Sequence, residues 1–179
     1  VLAGVIGPDD LAGRLMEMTE IMIKCLTEPE VAHKVLKKVT GFIISYIEAF
    51  KKAGANGIVM AEPAAGLLSP SLCSEFSSAY VKTIIDAVET DDFIVVYHNC
   101  GNTVPLVESI RATGARAVHL GNSVRLADVI ALYPPHVLVM GNIDPASEFL
   151  GGSAESITKA ARALLEDLDR YPNWVISSG

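Results

Sequence analysis

Strict alternation of short apolar runs with amphipathic stretches is what most limits the fold of this chain. Six runs read as strands: Val1–Ile6, Gly57–Ala61, Phe93–Tyr97, Ala117–Leu120, Val137–Met140 and Trp174–Ser177. The segments between them carry helical periodicity. Strands separated this way pair in parallel, because each crossover must return the chain to the same end of the sheet. The strand bodies are nearly free of polar residues, as in a sheet covered on both faces. The composition agrees: 50% of the residues are hydrophobic but only 6% are aromatic. Ala, Val, Ile and Leu therefore fill most of the core.

The clearest helix is expected from about Glu28 to Ala53. Val31, Val35, Val39, Phe42, Ile43, Tyr46, Ile47 and Phe50 form one apolar face at helical spacing. Thr27 with Glu30 reads as a capping box, Pro29 sits in the first turn, and Gly54 ends the helix. Ser69-Pro70 opens a second helix to about Val88, and a third follows Ser153 to about Arg170.

Two internal echoes suggest one repeated unit. Ala53-Gly54-Ala55-Asn56-Gly57-Ile58 and Thr113-Gly114-Ala115-Arg116-Ala117-Val118 share a helix-end-to-strand pattern. Gly-Asn recurs at strand ends as Gly101-Asn102, Gly121-Asn122 and Gly141-Asn142. Similar βα units in series suit a barrel better than an open sheet. A (β/α)8 barrel takes about 250 residues, so six strands in 179 residues make most of one. Both termini fall in apparent strands, and the first residue is Val. The expectation is a partial α/β barrel over residues 1–179, truncated at both ends. Its open strand edges and apolar faces are expected to favour self-association, as a homo-oligomer, or poor solubility, unless residues outside this sequence complete the barrel.

Net charge is −7, with no basic stripe, which argues against a nucleic-acid partner. No apolar run approaches the ~18 residues of a membrane span. No basic region precedes Val1–Ile6 as it would in a signal peptide. Three Cys at irregular spacing imply no disulfide framework, so a cytoplasmic location is expected.

Barrel enzymes work at the C-terminal ends of their strands, and the polar residues here cluster at those ends. His98 and Cys100 lie two apart at the end of the third run. Alternation points them the same way. A neutral imidazole nitrogen and a thiolate sulfur are half of a zinc site. The bland reading is a buried Cys beside a hydrogen-bonded His. Glu62 before Pro63 reads as a substrate-facing general acid/base or as a carboxylate at helix N-termini. His119 reads as a further metal ligand or as an ordinary core or surface histidine. Asn102, Asn122 and Asn142 read as caps or turn formers, or as pocket polar groups beside Asp144 and Ser177. Asp144 before Pro145 also reads as a helix start. His33, His136, Cys25 and Cys73 read as structural.

Three stretches carry a family resemblance: Tyr97-His98-Asn99-Cys100-Gly101-Asn102-Thr103, Gly141-Asn142-Ile143-Asp144-Pro145 and Ile176-Ser177-Ser178-Gly179. With Ala61-Glu62-Pro63 and Gly7-Pro8, they resemble the uroporphyrinogen decarboxylase superfamily. His-x-Cys is similar to the methylcobamide:thiol methyltransferase branch, and true decarboxylases do not carry it. The resemblance covers essentially the whole chain, as family strands three to eight of a distorted (β/α)8 barrel.

The resemblance implies zinc held by His98, Cys100 and a second Cys, expected just beyond Gly179. It also implies a methylcorrinoid on a partner protein as methyl donor, and a small thiol or pterin as acceptor. The methyltransferases carry an exchangeable acidic ligand near the sixth family strand. This chain has His119-Leu120-Gly121-Asn122 there, with no carboxylate. Either His119 or Asn122 substitutes, or the site differs. The same fold also serves cofactor-free decarboxylation of a tetrapyrrole, and a third reading is a non-catalytic corrinoid- or protein-binding module with a vestigial site.

Overall fold

The computed structural model describes residues 1–179. Six strands form one all-parallel sheet in chain order: β1 (Leu2–Ile6), β2 (Gly57–Ala61), β3 (Ile94–Asn99), β4 (Ala117–Leu120), β5 (Leu138–Met140) and β6 (Trp174–Val175). Each expected run is a strand, two of them with the expected bounds and the others with an end shifted by one or two residues. β6 is the shortest, because its chain leaves the ladder after Val175 and rejoins it at the isolated Ser178–Ile143 bridge.

Helices fill the crossovers: α1 (Pro8–Met16), α2 (Met18–Thr27), α3 (Pro29–Lys52), α4 (Pro70–Leu72), α5 (Ala79–Val88), α6 (Val107–Ala112), α7 (Leu126–Val129) and α8 (Ala154–Leu168). A wider, π-wound turn at Cys73–Ser78 joins α4 to α5. The expected second helix is therefore continuous but changes its winding. Gly54 and Gly114 end α3 and α6 at φ +93° and +78°, the left-handed conformation glycine adopts most cheaply. The shared helix-end pattern thus has a backbone cause. No helix is long and apolar enough to cross a membrane.

Register divides the sheet into two faces. Val5, Met60, Tyr97, Val118, Val139 and Trp174 lie at one level and face the helices. There they pack with Ile43 and Ile47 of α3 and with Val81, Ile84 and Ile85 of α5. The opposite face carries Ile6, Ala61, His98, His119, Met140 and Val175 at a single level. This face corresponds to a barrel lumen, and its residues are partly buried except for Val175, which is exposed.

Two expectations about α3 need correction. Thr27 is the last residue of α2, and its hydroxyl donates to the Ile23 carbonyl instead of capping α3. Glu28 occupies the N-cap without a side-chain hydrogen bond. The buried stripe is Ala32, Leu36, Val39, Thr40, Ile43 and Ile47. Phe42 and Tyr46 are 60% and 45% exposed, and their rings stack on each other outside the core. The apolar arc of α3 is wider than its neighbours α5, α1 and α2 cover, so one margin stays in solvent.

The corrected stripe predicts unequal costs at adjacent positions. Ile43→Ala should lower stability by about 2–5 kcal/mol, the usual cost of a core cavity. Phe42→Ser should stay within about 0.5 kcal/mol of wild type. Urea unfolding of the two variants measures both.

Candidate functional site

The strand ends hold two polar systems, one on each face of the sheet. On the helix side, Glu62 follows β2 and is fully buried. Its Oε1 accepts from the Asp9 amide at 2.7 Å, in the first turn of α1. Its Oε2 accepts from Ser77 Oγ and from the Tyr97 hydroxyl, each at 2.7 Å. The Glu62 carbonyl accepts from Asn99 Nδ2 at 3.1 Å. One residue therefore joins β2, α1, the π-wound turn and β3. Gly7 has to be a glycine here, because a Cβ would sit 2.7 Å from the Glu62 carboxylate.

Burial pushes the Glu62 carboxyl up to about 8, with the nearby Asp9 charge adding to the rise. The three donors work against that rise without cancelling it. Asp9 itself rises to about 6, chiefly by burial and then by Asp10. Asp10 accepts from the Ala64 amide at 3.0 Å and ties α1 to the segment after Glu62. Glu62 thus reaches no open surface, and it sits at a helix N-terminus.

On the lumen side, β3 and β4 bring two histidines together. His98 and His119 are register partners, and their Nδ1 atoms lie 2.6 Å apart. His119 Nε2 lies 3.0 Å from Ser177 Oγ, beyond β6. Burial holds both imidazoles below the ordinary histidine range, and for His98 the neighbouring His119 adds to the effect. His98 Nε2 takes no part in a hydrogen bond.

Cys100 follows His98 on the same face. A Cβ on Gly121 would meet the Cys100 Cβ at 2.8 Å, and one on Gly66 would meet the Cys100 carbonyl oxygen. Both glycines leave room for this turn. The Cys100 thiol is partly exposed and has no side-chain partner, and burial raises its pKa, with Asp10 contributing. No three His, Cys, Asp or Glu side chains converge as a ready metal centre.

The remaining candidates have separate places. Asn142 is buried, and its Nδ2 donates to the carbonyls of Gly121 and Val124, which binds the ends of β4 and β5. Asn102 and Asn122 are exposed. Asp144 Oδ1 accepts from the Ala146 and Ser147 amides at 2.8 and 3.1 Å and caps the π-wound turn Pro145–Leu150. Those amides hold its carboxyl below the usual range, with Asn122 contributing. Gly179 packs on Asn122, with space only for a hydrogen at its Cα. The chain beyond β6 therefore lies over the end of β4, next to the glycine on which Cys100 rests. His33 binds the Tyr80 hydroxyl and Glu75 in the helical layer, and His136 is exposed. Cys25 and Cys73 are buried.

Sequence reasoning missed Asp9, Ser77 and Tyr97 as partners of the Glu62 carboxylate, and Asp10 as the acceptor for the Ala64 amide. It also missed the His98–His119 contact, although the equal places of the two residues near their strand ends carried that signal.

The profile of the uroporphyrinogen decarboxylase (URO-D) family matches residues 1–179. The chain belongs to the uroporphyrinogen decarboxylase family. A relative from Xanthomonas oryzae pv. oryzae, named uroporphyrinogen decarboxylase, is 34% identical over 149 residues, covering 81% of this chain and 41% of that protein. One of the same name from Pseudoalteromonas translucida is 28% identical, covering 97% of this chain and 48% of its own length. A methyltransferase from Methanosarcina mazei superposes with a TM-score of 0.87 at 22% identity, covering 99% of this chain and 52% of the other. The chain spans less than half the length of the curated relatives it matches. The fold is that of the family barrel.

Two outcomes follow. Glu62 keeps a proton in the folded chain up to about pH 8 that the unfolded chain loses near 4.5. Stability should therefore fall as pH rises through that window, with Asp9 adding to the fall at its lower end. Glu62→Gln should flatten the upper part of this curve in urea unfolding at stepped pH. Gly121→Ala should push Cys100 out of place, measurable as a changed rate of Cys100 alkylation, while circular dichroism stays native.

Proposed function

We propose that this chain supplies the His98–Cys100 half of a zinc site in a corrinoid-dependent methyltransferase. The reaction moves a methyl group from a methylcorrinoid on a partner protein to a small thiol or pterin. The carrying observation is the pairing of His98 and Cys100 as successive lumen-face residues at the end of β3. One has an unengaged Nε2 and the other a thiol without a side-chain partner. Lowering of the His98 pKa favours the neutral imidazole that metal coordination needs. The donor chemistry fits zinc.

Zinc bound there would supply Lewis acidity that lets a substrate thiol ionise near neutral pH. The chain's own part is to hold the two donors. Gly66 and Gly121 leave space for the Cys100 turn, and β3 pairing fixes His98. Asn142 keeps the β4 and β5 ends together beside that turn. The packing of Gly179 on Asn122 supports a further ligand from the chain that follows β6.

The names of the curated relatives favour a second reading, decarboxylation of a tetrapyrrole without metal. A non-catalytic corrinoid- or protein-binding module is a third. Full-length protein should contain about one zinc and transfer methyl from methylcobalamin to a small thiol. His98→Ala and Cys100→Ser should each lose both properties. Zinc-free protein that converts uroporphyrinogen would overturn the methyltransferase reading. Zinc retention without any turnover would favour the binding module.

A further inference from the structure

We propose that a cavity at the N-terminal ends of β4 and β5, at the opposite end of the sheet from Cys100, is a second binding site, which takes a small carboxylate with an apolar body. The proposal goes beyond the zinc reading and does not depend on it.

Short helices open the cavity. α6 has six residues and gives way to the left-handed Gly114. α7 has four and passes into a single 3-10 turn at Ile130–Leu132. At 1.5 Å per residue they are about 9 and 6 Å long, too short to close over the starts of the two strands. A space of about 340 Å³ stays open between α6 and the Tyr133–Val137 segment. That size lies at the lower end of the range for small-molecule sites, about 300–1,000 Å³. Ala115 and Val118 form buried apolar walls, and Val137 adds a half-buried one.

Two side chains define the polar part of the ligand. Arg111 Nη1 donates to Glu108 Oε1 at 2.7 Å, and its Nε and Nη2 have no hydrogen-bond partner. Those two nitrogens form the planar fork that a carboxylate meets with two parallel hydrogen bonds. The Glu108 side chain is 80% exposed, so water and salt screen its repulsion of a second anion. Arg116, the other guanidinium at the cavity, is committed to the Thr90 and Phe93 carbonyls. Tyr133 lines the same cavity and is 4% exposed, and its hydroxyl is buried without a hydrogen-bond partner. An orphaned hydroxyl is costly, and a ligand oxygen would satisfy it. Burial keeps the phenol protonated, and the charges of both Arg111 and Glu108 reach it, so the hydroxyl and the fork are neighbours.

Benzoate is the probe, titrated into full-length protein with backbone amide NMR as the readout. The Gly114, Ala115 and Val137 amides should shift saturably at millimolar benzoate. Arg111→Gln should weaken binding by about tenfold or more and leave the zinc content unchanged. Tyr133→Phe should also weaken binding, yet raise the melting temperature of the ligand-free protein, because it removes an unpaired buried hydroxyl. Acetate, which has the same head and almost no apolar body, should bind more weakly than benzoate. Absence of a saturable shift would overturn the proposal. So would acetate binding as tightly as benzoate, which would mark a simple anion site. Unchanged affinity with lowered stability in Tyr133→Phe would overturn it as well, by showing that solvent satisfies the hydroxyl.

Discussion

In-register parallel pairing is the constraint on which the rest of this molecule depends. It puts Ile6, Ala61, His98, His119, Met140 and Val175 at one level of one face. A slip of one residue in β3 would turn His98 to the helices and Tyr97 to the lumen. That slip would bury an imidazole among Ile84, Ile85 and Val81, and would expose an aromatic ring that now has no contact with solvent. Hydrophobic patterning and the placement of chemistry are therefore one requirement. The core cannot form in the native register without bringing the two histidines together.

Glu62 is the second constraint, and it acts from behind the sheet. A buried carboxyl is costly unless it is neutral or well hydrogen-bonded. Here both remedies operate, with three donors and a pKa of about 8. The donors come from three separate elements, so satisfying one group fixes α1, the π-wound turn and β3 against β2. The wider winding at Cys73–Ser78 has a visible consequence here: it is the segment that supplies Ser77.

The strands, their order and the barrel class were legible because alternation and length both point to them. The helix stripe was less so. Val31, Phe42 and Tyr46 match the apolar period as well as Leu36 and Ile47 do, and only packing partners distinguish them. Thr27 and Glu30 have capping-box spacing, but α2 runs directly up to Glu28 and leaves Thr27 inside a helix. Glu62 was legible as a strand-end carboxylate, with its face undecided. Its partners come from 15 to 53 residues away, a separation that local pattern cannot bridge. Cys100 and His98 were legible as a pair because alternation within one strand is local. The His98–His119 contact depends on the register between two strands.

The two polar systems meet in β3. Tyr97 donates backward to Glu62, Asn99 donates to the Glu62 carbonyl, and His98 between them faces forward to His119. Alternation alone gives this opposition, but its effect is mechanical. The strand is gripped from behind on both sides of the residue that carries the candidate ligand. A metal-ligating side chain needs a backbone held to within about half an ångström, and these two contacts hold β3 from the helix side, in addition to the His98–His119 contact on the lumen side. The cost of precision falls on buried groups such as Asp9 Oδ2 and Asn99 Oδ1, which have no hydrogen-bond partner.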